Sequence, residues 1–253
     1  MNDARGHSRF WAPSGPGGTL RLERHYGDRE FLCFTERWPD LNAMVRETVA
    51  THGESEAVVS DRRRLTYGAL ADLAANAAGH LARRGIRPGD RVALLLRNCP
   101  EFPIFLLACF RLGAIAVPLG TRQREPELRY LLSDCGASAL VLEAEFSSNL
   151  PPADATPALA LRVAVGGAAP GCEPVANFLE PAPMPPVLPA REEDTAVILY
   201  TSGTTGRPKG AMLTHLSIIH SLITFRRCLR LEPRGGRSSR CPRLTSPGSS
   251  RSC

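Results

Sequence analysis

Tyr200-Thr-Ser-Gly-Thr-Thr-Gly-Arg-Pro-Lys-Gly210 is the stretch from which the rest of this 253-residue chain is best read. Thr195–Tyr200, just ahead of it, is apolar and β-prone, so a strand delivers the chain into a run of small residues. Gly203, Gly206 and Gly210 permit backbone angles and close approaches that side chains block. Successive free N–H groups in such a turn form an anion-binding concavity. Thr201, Ser202, Thr204 and Thr205 add hydroxyl donors, Pro208 stiffens the exit, and Lys209 adds a mobile positive charge. Every part suits a polyphosphate, which presents many acceptor oxygens and several negative charges.

The bland alternative is an ordinary Gly/Thr turn with an exposed lysine. Composition weighs against it. Of the 31 basic residues, 30 are arginine, and Lys209 is the only lysine. The two residues are interchangeable on a solvated surface but not where a compact point charge is needed. A P-loop is a second alternative, but it requires Gly, four residues, then Gly-Lys-Ser/Thr. Here Pro208 precedes the lysine and Gly210 follows it, which disfavours a P-loop nucleoside triphosphatase.

Upstream, Val92–Leu96, Ala114–Val117 and Ala139–Leu142 read as strands, with helices over Glu101–Leu112 and Glu125–Ser133 between them. Strand, helix, strand, helix, strand predicts an α/β fold with a parallel sheet and crossover helices. Earlier still, Leu41, Met44, Val45 and Val49 share one helical face that Gly53 ends, and Ala57–Ser60 with Leu65–Tyr67 form a hairpin. Leu70, Leu73, Ala74, Ala77 and Leu81 repeat at helical spacing, with Gly85 as the C′ glycine. Downstream, Leu216, Ile219, Leu222 and Ile223 predict a helix that follows the loop, with Thr214 as its cap.

Three regions result. Residues 1–37 read as an irregular, arginine-rich extension, and residues 38–233 as the body. Within the body, 149–189 carries ten of the 22 prolines and predicts a long irregular surface connection with one short strand at Leu161–Val165. Residues 234–253, with five arginines and no acid, read as a disordered basic tail or as the product of a shifted reading frame. That tail holds five of the six net positive charges, so the body gives no support to nucleic-acid binding.

Apolar content of 43% and charged content of 22% are those of a globular protein. Residues 1–20 lack the apolar core of a secretory signal, and no apolar stretch is long enough to span a bilayer. A cytoplasmic protein without a transmembrane segment is expected. The eight cysteines show neither C-x-x-C nor zinc-finger spacing, so buried free thiols are expected and no metal site is predicted. His215 and His220 read as a cap or surface residues before they read as substrate contacts. Tyr67 reads as packing and Glu192–Asp194 as solvated surface.

Tyr200–Gly210 resembles the signature loop of the adenylate-forming superfamily of acyl-CoA synthetases, luciferases and peptide-synthetase adenylation domains. Leu65–Leu70, Gly89–Leu94, Asn98–Phe102 and Leu112–Pro118 look like the segments that precede the loop in that superfamily, in the same order. The resemblance covers roughly residues 38–233 and leans toward fatty-acid and aryl-acid CoA ligases. It implies the N-terminal part of the large adenylate-forming domain, here truncated. It also implies a carboxylic-acid substrate, ATP, Mg2+ and coenzyme A or another thiol carrier. Thr201, Ser202, Gly203, Thr204, Thr205, Gly206 and Lys209 would cradle the β- and γ-phosphates. The catalytic lysine that the resemblance assigns to a later, smaller domain has no counterpart, since no lysine follows Lys209. The expectation is therefore an incomplete ligase, weakly active or inactive alone. The alternative is a non-catalytic nucleotide-binding module that kept the phosphate loop.

Overall fold

A computed structural model of the chain describes residues 18–61, 63–183, 186–187, 189–201 and 207–229. Its centre is a seven-stranded sheet. The strands are β5 (Arg91–Leu95), β6 (Ile115–Pro118), β7 (Ala137–Glu143), β8 (Leu161–Val165), β9 (Glu173–Pro174), β10 (Thr195–Thr201) and β11 (Lys209–Thr214). Their spatial order is β11-β10-β6-β5-β7-β8-β9, and every neighbouring pair is parallel except β10 and β11. β6 lies on one side of β5 and β7 on the other, so the strand order reverses at β5.

The strand sequences explain why helices cover both faces. Val92, Leu94 and Leu96 point into one apolar cluster, and Ala93 and Leu95 into another. β7 divides in the same way, Ala139 and Val141 against Leu140 and Leu142. A period of two in residues that are all apolar is the mark of a strand buried on both sides. The first cluster takes in α2 (Tyr67–Arg83), α3 (Glu101–Leu112) and α6 (His215–Cys228). On the opposite face lies α4 (Glu125–Asp134), through Leu128, Leu131 and Leu132. α1 (Leu41–His52) starts at Asp40, whose Oδ1 accepts from Ala43 N at 2.7 Å. Gly113 ends α3 at φ +73, where a side chain would be strained. β3 (Glu56–Val59) and β4 (Arg64–Thr66) form the expected hairpin.

Three expectations need correction. The stretch read as an irregular N-terminal extension contains an antiparallel hairpin of β1 (Leu20–His25) and β2 (Arg29–Phe34). Leu20 and Leu22 alternate with charged residues, and Tyr26-Gly27, both at positive φ, make the turn. Arginine content masked that alternation. The proline-rich 149–189 region is not mere surface. Besides the expected strand, β8, it carries β9 and the short α5 (Ala176–Leu179), whose Phe178 is fully buried beside Phe105. Finally, no strand was expected between the loop and the helix capped by Thr214, yet β11 lies there and pairs with β10. The alternation that would have marked β11 is diluted by Gly210 and Ala211. Residues 1–17 and the tail from 230 onward lie outside the described residues.

Candidate functional site

The glycine-rich run joins two antiparallel strands. Thr201 opposes Lys209, Tyr200 opposes Gly210, and Leu199 opposes Ala211. Opposed residues share a face of a sheet, so Thr201 and Lys209 stand side by side at the mouth of the hairpin. Both are exposed, and among the described residues no acid pairs with the Lys209 ammonium. Ser202, Gly203, Thr204, Thr205 and Gly206 lie outside the described residues. The connection is strand to strand, not strand to helix, which independently separates it from a P-loop.

Helix α4 holds both sides of the mouth. Tyr200 Oη donates to Asp134 Oδ2 at 2.6 Å, and Tyr130 Oη donates to the Pro208 carbonyl at 3.0 Å. Burial, and then the hydrogen bond to Asp134, push the Tyr200 phenol upward, so it stays a neutral donor. The Arg207 guanidinium lies over the Tyr130 ring, 5.9 Å from its centroid. Tyr130 and Asp134 are four residues apart on one helical face, which lets a single helix reach both sides. Nothing in the sequence separated them from other surface residues of α4. Gly210 matters for a different reason. A Cβ there would come within 2.9 Å of Ile198 Cγ2 and 3.4 Å of Tyr200 Cζ, so its lack of a side chain lets the Tyr200 ring lie across the strand pair.

The other candidates fall to packing. His215 is 3% exposed, and its Nδ1 accepts from Leu41 N at 3.2 Å, which ties the start of α6 to the start of α1. Burial lowers its pKa, as it does for His220, which stacks on Phe34. Thr214 caps α6 as expected, accepting from Ser217 N. Tyr67 opens α2, half-buried. Glu192–Asp194, read as solvated, is instead networked: Glu192 accepts from Arg37 at 2.6 and 2.9 Å, and Glu193 meets His25. The cysteines that are described are free. Burial raises Cys99 to about 11 and Cys109 to about 12, which leaves them inert, but Cys228 is exposed.

A cavity of about 770 Å3 lies at the carboxyl ends of β5, β7 and β8, where the strand order reverses. Such crevices commonly bind ligands. Two arginines line it: Arg97 is already held by Glu143 and Glu145, whereas Arg63 has no ion pair among the described residues.

The AMP-binding enzyme family matches residues 45–242. A feruloyl-CoA synthase of Amycolatopsis sp is 41% identical over 180 residues, covering 70% of this chain and 33% of that protein. A long-chain-fatty-acid–CoA ligase of Mycobacterium tuberculosis is 36% identical over 182 residues, covering 68% and 34%. The chain thus spans about a third of the length of the curated relatives it matches. Among solved structures, a putative long-chain-fatty-acid CoA ligase from Rhodopseudomonas palustris superposes with a TM-score of 0.70 at 25% identity, covering 78% of this chain and 49% of that one. No described helix is long and apolar enough to cross a membrane.

Proposed function

The chain belongs to the AMP-binding enzyme family, and from that premise we propose that it forms the pyrophosphate end of the ATP site of an AMP-forming acid–thiol ligase. The observation that carries this reading is the β10–β11 mouth, where a lysine that meets no acid among the described residues stands beside Thr201 at the two ends of a Gly/Thr run.

In the proposed reaction a substrate carboxylate attacks the α-phosphorus of ATP. The α–β anhydride bond breaks, and acyl-adenylate and pyrophosphate result. A thiol, coenzyme A in the first instance, then attacks the acyl carbon, loses its proton and displaces AMP. Thr201, Ser202, Gly203, Thr204, Thr205, Gly206 and Lys209 grip the β- and γ-phosphates. They position the leaving group and neutralise its charge, and serve as neither acid, base nor nucleophile. The hydroxyls, peptide N–H groups and ammonium suit phosphate oxygens; magnesium enters with the triphosphate, and no protein ligand is assigned to it. ATP and coenzyme A are cytoplasmic metabolites, which places the reaction there. The reading calls for no nucleic-acid partner and no transmembrane segment.

The sole lysine is committed to phosphate, so no second lysine serves the adenylation step. The 253 residues alone therefore bind pyrophosphate or Mg-ATP but adenylate weakly or not at all. Equilibrium binding of pyrophosphate to the chain and to Lys209→Ala tests the site. A charge-assisted hydrogen bond contributes about 1.5–3 kcal/mol, so affinity should fall by about tenfold or more. Equal affinity in the two proteins refutes the assignment. Robust acid-dependent ATP–pyrophosphate exchange by the chain alone refutes the claim that it is catalytically incomplete.

A further inference from the structure

We propose that the β1–β2 hairpin carries a binding site for a divalent transition-metal ion of the zinc class, ligated by Glu23, His25 and Cys33. A carboxylate oxygen, an imidazole nitrogen and a thiol sulfur from these residues all lie within 4.8 Å of one another. Strand geometry brings them together. Glu23 and His25 are two apart on β1, and Cys33 opposes Arg21, two residues from Glu23 on the same face.

Proximity alone would be weak. The independent observation is the state of His25, which is 8% exposed. Its Nδ1 lies 3.3 Å from Glu193 Oε1. In the tautomer that donates Nδ1–H to Glu193, Nε2 bears a lone pair. That nitrogen is buried, has no hydrogen bond, and sits 3.4 Å from Glu23 Oε2. A lone pair facing a carboxylate is repulsive, and a cation between the two removes the conflict. An imidazole that donates one N–H to a carboxylate and offers the other nitrogen is the usual form of a metal-bound histidine.

The outer groups fit the same reading. Glu23 is oriented by Arg21 at 2.8 Å and by Arg37 at 2.7 Å, and ligating carboxylates are themselves normally hydrogen-bonded. Arg37 opposes a cation, but Glu192 holds its other edge and Glu193 adds a further negative charge. The mixed nitrogen, oxygen and sulfur set, with one soft donor, selects zinc or cobalt over magnesium or calcium. Three protein ligands leave a fourth position for water. The ion would fasten the hairpin to the Glu192–Asp194 segment. That segment accepts from His215 N and Leu216 N and leads into β10, the strand that carries the loop.

The rival occupant is a second proton, making His25 an imidazolium between two carboxylates without involving Cys33. Cobalt(II) titration of the metal-free chain separates the two, with Cys228, Cys241 and Cys253 replaced by serine. The expected result is a thiolate-to-cobalt charge-transfer absorption that saturates at one equivalent and is displaced by zinc. Cys33→Ser should abolish it, and His25→Gln should weaken cobalt binding at least tenfold. A zinc-dependent, chelator-reversible rise in melting temperature should appear in the parent and vanish in His25→Gln. Absence of the absorption overturns the proposal, as does its survival in Cys33→Ser. If Cys33→Ser fails to fold, undiminished cobalt affinity in His25→Gln overturns it equally.

Discussion

Two antiparallel hairpins flank the core and treat charge in opposite ways. In β1–β2 and its surroundings, Arg37 holds both Glu23 and Glu192, His25 meets Glu193, and the Arg37 side chain is only 10% exposed. In β10–β11, Thr201 and Lys209 are exposed and no described acid meets the lysine. A charge enclosed with its partners holds the molecule together. A charge left facing solvent is free to meet something else. The same backbone motif thus serves as a fastening in one place and as a receptor in the other, and the difference lies in the partners that the body supplies.

The largest expected effect breaks the fastening. Arg37→Ala leaves Glu23 and Glu192 facing each other without their shared cation. Breaking a buried pair costs about 3–5 kcal/mol, and because Glu192 is partly exposed roughly 2–3 kcal/mol is expected here. Urea denaturation measures the loss, and pyrophosphate affinity of the folded variant should not change. Lys209→Ala should show the inverse pattern. Its tenfold or greater loss of pyrophosphate affinity should come with stability within about 0.5 kcal/mol of the parent. A large destabilisation would mean that Lys209 belongs to the fabric of the fold.

Tyr200→Phe tests whether the receptor is held in shape by α4. Removing the hydrogen bond to Asp134 should cost about 1 kcal/mol in stability and severalfold in pyrophosphate affinity, measured on the same protein. Unchanged affinity would show that the mouth needs no such support. The smallest effect concerns pH. Burial holds His215 neutral, so the unfolded chain takes up its proton more readily than the fold does. Stability from this source is complete above the unfolded value near 6.5 and falls as pH drops below it. His215→Gln keeps an acceptor for Leu41 N and should flatten part of that slope, as chemical denaturation at pH 7.5 and 5.5 would reveal.

Much of the fold could be read from residues whose neighbours in sequence settle their fate. β5, α3, β6, α4 and β7 fall where apolar runs, helical spacing and closing glycines put them, Gly113 at the end of α3 among them. β1, β2 and β11 could not be read so easily. Their strands are weakly patterned, and each exists because a partner strand satisfies its peptide groups. Phe178 was hidden among prolines for the same kind of reason, since burial beside Phe105 is a property of where the region packs.

The candidate site divides along the same line. By itself the sequence determined the chemistry on offer: glycines, hydroxyls and one lysine in eleven consecutive residues, the kind of site in which local chemistry is enough. Only the tertiary structure decided that this run is a hairpin mouth, that Tyr130 and Asp134 hold it, and that His215 and Glu192 belong to packing and ion pairing. Those assignments join residues from 66 to 174 positions apart in sequence to partners a few ångströms away. Such contacts depend on how sheet and helices close on one another, and no short window of sequence contains that information.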